Sequence, residues 1–94
     1  MRIIVRLIGK GTPEEPYEVP LPTYTIIKVD YKTKIAIVEV PDEYFTETEI
    51  KRDGTVEVRK LKRINIKKLM RLYPLWYKTI YQKYRKIIDE IELE

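Results

Sequence analysis

The chain predicts an α+β fold: a five- or six-stranded antiparallel sheet, or a small partly closed barrel of OB or SH3-like type, followed by a C-terminal amphipathic helix. Three observations carry that expectation. β-branched runs separated by turn residues fill positions 1–62; apolar residues recur with helical period over 65–92; and the net charge changes sign where the period changes. With 94 residues, 44% hydrophobic and 36% charged, the sequence fits one domain, 1–94, too apolar for a disordered tail.

The elements follow in order. Residues 2–8 are an extended apolar run, ended by Gly9-Lys10-Gly11. Residues 12–22 hold Pro13, Pro16, Pro20 and Pro22, each lacking a ladder donor, so this is a loop or a ragged edge strand. Residues 23–30 and 34–40 are β-branched runs joined by Tyr31-Lys32-Thr33, a hairpin by spacing, and Pro41 stops the second run. Residues 45–52 and 55–61 flank Asp53-Gly54, the dipeptide of a type I′ hairpin turn. Asn65 is placed to cap a helix. Beyond it Ile66, Leu69, Leu72, Tyr73, Trp76, Tyr77, Ile80, Tyr81, Tyr84, Ile87, Ile88 and Ile91 share an arc of about 180°. Pro74 either opens a second helix or kinks one long helix, and the phase carried across it favours the kink. Asp89, Glu90, Glu92 and Glu94 oppose the macrodipole at the far end, which is expected to fray.

Absences bound the chemistry. Without Cys, His or Ser there is no disulfide framework, no Cys/His zinc site and no Ser–His or Cys–His nucleophile. No cofactor or resident metal is expected. Arg6 interrupts the first apolar run, so neither a signal peptide nor a membrane span is read there, and a cytoplasmic location is expected. Abundant Ile, Lys and Tyr with few thermolabile residues is the bias of a thermophilic archaeon or one of its viruses, although an AT-rich genome gives a similar skew.

Charge segregation is the strongest functional signal. Residues 1–57 carry eight cations and eleven carboxylates, a net of −3, whereas 58–94 carry eleven cations and four carboxylates, a net of +7. From Val58 to Ile88 there is no acidic residue at all. Lys67, Lys68, Arg71, Lys78, Arg85 and Lys86 fall opposite the apolar arc, a stripe about 25–30 Å long at the helical rise. Arg59, Lys62 and Arg63 extend it upstream. Phosphates are spaced at that scale, so the expected function is non-enzymatic nucleic-acid binding with mostly phosphate contacts. The competing explanation is a solvated lysine-rich helix face. Tyr73, Tyr77, Tyr81 and Tyr84 lie within the apolar arc and are expected to pack on the sheet, with Tyr77 and Tyr81 nearest the cations.

Two further patterns carry chemistry. Pro41-Asp42 followed by Glu49-Ile50-Lys51 resembles the PD-(D/E)xK nuclease signature, whose two acids hold a divalent metal and whose lysine assists the attacking water. The gap between the halves is short, and no helix precedes the first strand. Gly9-Lys10-Gly11-Thr12 lacks the spacing of a phosphate loop and reads as a turn. The alternative function is a protein–protein or structural module: a ribonucleoprotein component, a viral protein or an inhibitor of a host complex. The surplus width of the apolar arc would suit a homodimer through Leu72, Trp76 and Ile80.

Overall fold

The computed structural model describes residues 1–93. Its β-branched runs form two separate antiparallel sheets. β1 (Arg2–Arg6), β2 (Thr25–Asp30), β3 (Ile35–Glu39) and β6 (Glu92–Leu93) make a four-stranded sheet in the order β2-β3-β1-β6. β4 (Thr46–Ile50) and β5 (Val56–Lys60) make a two-stranded ribbon. The expected single sheet is thus divided and does not close into a barrel. The cause lies between β3 and β4. Pro41 ends the ladder, and a 3₁₀ turn (Asp42–Phe45) buries Tyr44 and Phe45 and sends the chain away from the sheet. Phe45 therefore fills the core instead of opening a strand.

β1 alternates by pleat: Ile3 and Val5 are buried, while Arg2, Ile4 and Arg6 are exposed. Ala36 and Val38 of β3 pack beside them, and the Pro-rich segment adds Val19, Pro20 and Leu21. That segment is a loop with one bridge, Ile8 to Glu18. The β2–β3 hairpin closes through Asp30, whose carboxylate accepts from the amides of Lys32 and Thr33 at 2.9 and 3.4 Å. The β4–β5 turn differs from the expected type I′. Only Gly54 has positive φ (+87°), and Gly54 N donates to Lys51 O at 3.0 Å. A type I turn followed by a left-handed glycine, the three-residue hairpin loop, gives that pattern.

The helical third is segmented. α1 (Ile66–Leu72) starts at Asn65, whose side chain accepts from Lys68 N at 3.1 Å. Tyr73 leaves the helix at φ −132°, ψ 68°. Pro74 then opens α2 (Pro74–Trp76) as a first-turn residue, so the chain breaks there and does not merely kink. A π-helical turn (Tyr77–Tyr81) follows, with Gln82 N donating to Tyr77 O five residues back, and leads into α3 (Gln82–Asp89). The kink of the C-terminal helix sits at Tyr84 (φ −117°, ψ 28°). The π turn accounts for the five-residue interval between two buried aromatics, Trp76 and Tyr81, whose rings lie 5.7 Å apart. Trp76 Nε1 donates to Pro20 O at 3.1 Å, tying the helix to the Pro-rich loop.

The acidic end does not fray, contrary to expectation. Asp89 accepts from the Tyr81 hydroxyl at 2.9 Å, Ile91 is buried, and Glu92 and Leu93 pair with Ile4 and Ile3. The helical stretch read over 65–92 therefore ends at Asp89, and Glu94 lies outside the described residues. The molecule is elongated, 54 × 26 × 19 Å. No helix among the described residues is long and apolar enough to cross a membrane.

Candidate nucleic-acid interface

The cations between residues 59 and 86 fall into two groups. Arg59 lies on the ribbon face that also holds Glu47, Glu49 and Glu57, and its guanidinium sits 3.1 Å from Glu47. Arg63 holds Glu92 at 3.2 Å and donates to Glu90 O at 3.1 Å, clamping the return of the chain into β6. Arg85 reaches Asp89 one turn on, at 3.7 Å. These three are occupied within the fold.

Lys62, Lys67, Lys68, Arg71, Lys78 and Lys86 have no carboxylate within ion-pair distance among the described residues. All but Lys68 are exposed. Lys68 is half-buried because its Nζ donates to Thr46 Oγ1 at 3.1 Å, at the root of the ribbon. Asn65 Nδ2 reinforces the junction by donating to Thr46 O at 2.9 Å. Lys60 stands directly across from Thr46, so a further lysine joins Lys68 at this root. The sequence reading left Lys60 out. The Asp53-Gly54 hairpin register could have found it, since that register sets Lys60 opposite Thr46.

The expected continuous stripe is interrupted. Lys67, Lys68 and Arg71 ride on α1, whereas Lys78 belongs to the π turn and Lys86 to α3, beyond the break at Tyr73. On α1, Lys68 and Arg71 are one turn apart and share a side with Leu72, which is 49% exposed. Leu75, 74% exposed, follows just past the break. The uniform helical count placed both Leu72 and Trp76 on the apolar arc. Leu72 is instead exposed and Trp76 is in the core, so Trp76 offers no surface to a partner. Tyr81 is buried too, and its hydroxyl is occupied by Asp89. Burial first, and then that carboxylate, raise its pKa above the ordinary tyrosine value. Tyr77 is half-buried and stacks on Tyr81 at 5.2 Å. Packing, not base stacking, explains these rings.

The other two patterns are dispersed or closed. Asp42 is 3.1 Å from the terminal amine of Met1, Glu49 lies opposite Glu57 on the ribbon, and Lys51 pairs with Glu57 at 3.2 Å. Among the described residues no group of three or more acidic side chains is arranged to hold a metal ion. The amides of Lys10, Gly11 and Thr12 all converge on Glu15 O, at 3.0, 3.0 and 3.3 Å, so this glycine loop turns its donors inward. Gly9 is required there, because a Cβ would lie 2.2 Å from Pro16 O. Lys83 shares an open cleft with Glu14, Glu15 and Glu18, which removes it from the basic surface. Comparison with family models, curated proteins and solved structures finds no match for this chain.

Proposed function

We propose that the protein is a non-enzymatic nucleic-acid-binding protein that grips phosphates through Lys62, Lys67, Lys68, Arg71, Lys78 and Lys86. One observation supports the reading. These six cations lack a carboxylate partner among the described residues, whereas Lys10, Lys51, Arg59, Arg63 and Arg85 each have one. Unpartnered ammonium and guanidinium groups on consecutive elements release counterions when a polyanion docks, and such contacts discriminate bases little. Fluorescence anisotropy with duplex and single-stranded probes tests it. Binding at low salt that weakens on Lys68→Glu and Arg71→Glu is the expected result, and absence of binding at low salt removes the proposal.

A second reading, a protein–protein module, draws on the ribbon. Ile50 (74% exposed), Val56 and Val58 (both 62%) share one ribbon face with Thr48, and nothing in the chain covers that face. Two strands alone are marginal in water, so a ribbon of this kind gains from a partner. A pulldown that survives nuclease treatment would favour this reading over the first.

A further inference from the structure

The outer edge of β2 is built to pair with itself. On β3 the even-numbered residues direct their backbone groups to β1: Val40 N donates to Met1 O, and Leu7 N to Lys34 O, both at 2.8 Å. The odd-numbered Ile35, Ile37 and Glu39 therefore serve β2, through their register partners Asp30, Lys28 and Thr25. Val29, opposite Ala36, is left with its N–H and C=O aimed away from the sheet. The edge is also apolar. Tyr24, Ile26, Ile27 and Tyr31 are 39%, 51%, 44% and 64% exposed.

A two-fold axis through Val29 gives one register for a second copy. Val29 then meets Val29 of the second copy as a hydrogen-bonded pair, and Ile27 approaches Tyr31 across the axis. Lys28 stands opposite Asp30, and by symmetry Asp30 stands opposite Lys28, in the closer non-hydrogen-bonded pairs. Pleat alternation sets both ion pairs on one face and the apolar contacts on the other. The groups are available: among the described residues neither Lys28 nor Asp30 has an ion-pair partner, and Asp30 only caps its own turn. The bulge between Ile26 and Lys28 lies at the end of this register, where it hinders other alignments of the edge. We infer that two copies of the chain join β2 to β2 in this register, forming one continuous eight-stranded antiparallel sheet. The inference is independent of the nucleic-acid reading.

Sedimentation of the full chain over a wide concentration range tests it, with far-UV circular dichroism confirming that each variant folds. The expected result is a reversible species of twice the 11.4 kDa chain mass. Lys28→Glu alone sets two carboxylates against two carboxylates, and Asp30→Lys alone sets cations against cations, so each weakens the dimer by roughly tenfold or more. An equimolar mixture of the two variants restores both attractions and re-forms the dimer. If Asp30→Lys fails to fold for want of its turn cap, Lys28→Glu decides alone. A chain that stays at 11.4 kDa up to millimolar concentration overturns the inference. So does a dimer that Lys28→Glu leaves untouched, because its interface would lie elsewhere.

Discussion

Six unpartnered cations set a measurable salt dependence. Each phosphate neutralised on a duplex contributes about −0.9 to the slope of log affinity against log salt, so six contacts predict a slope of about −5. Between about 50 and 200 mM salt that amounts to roughly a thousandfold loss of affinity. Replacing Lys68 and Arg71 together by Ala leaves four contacts. The slope should fall to about −3.6, and the loss over the same salt range to roughly a hundredfold. Arg59 and Arg63 already sit 3.1 and 3.2 Å from carboxylates, so Arg59→Ala and Arg63→Ala should leave the slope unchanged. Anisotropy titrations of a labelled duplex at four or more salt concentrations measure all of these. Equal slopes for the wild type and the Lys68/Arg71 double variant would refute the assignment, as would a slope that falls with Arg59→Ala.

Three stability predictions follow from the packing, each read by urea unfolding. Leu69 is fully buried, so Leu69→Ala should cost about 3–4 kcal/mol, the transfer loss plus the cavity left behind. Lys34 is the one described non-glycine residue with positive φ, +61°, so Lys34→Gly should stabilise by about 0.5–1 kcal/mol. Tyr44 is buried, and its hydroxyl accepts from Thr23 N at 3.0 Å and donates to Thr23 O at 3.2 Å. Tyr44→Phe should therefore cost about 1–3 kcal/mol near neutral pH by orphaning those groups. Burial also holds the Tyr44 pKa above its ordinary 10.0. The stability tied to its neutral form is intact below pH 10 and is lost as pH rises through the raised folded-state value. The alkaline decline should be shallower in Tyr44→Phe, and an identical decline would contradict that assignment.

Local patterns were legible where the chemistry is local. The two hairpins, the Asn65 cap and the Pro-rich loop depend on near neighbours, and the structure has each of them. The division of the sheet was not legible, because Phe45 looks like a strand residue until Pro41 and the buried Tyr44 commit it to a turn. Helical phase failed for a similar reason. A count at 100° per residue has no means of registering an extended Tyr73 or a five-residue turn at Tyr77–Tyr81. In the candidate site the cations were visible but their partners were not. Arg59 and Glu47 meet only through ribbon register, and Arg63 meets Glu92 only because the last residues return to the sheet edge.

The π turn works as a phase shifter. One residue beyond the regular helical repeat swings everything downstream of Tyr81 by about 100° relative to everything upstream. Shortening this stretch by a single position would restore the ordinary repeat and rotate Ile88 out of the interior and Lys86 to a new bearing. A surface loop tolerates such a deletion; here the spacing of side chains is the architecture, and a point substitution would be far gentler than the loss of one residue.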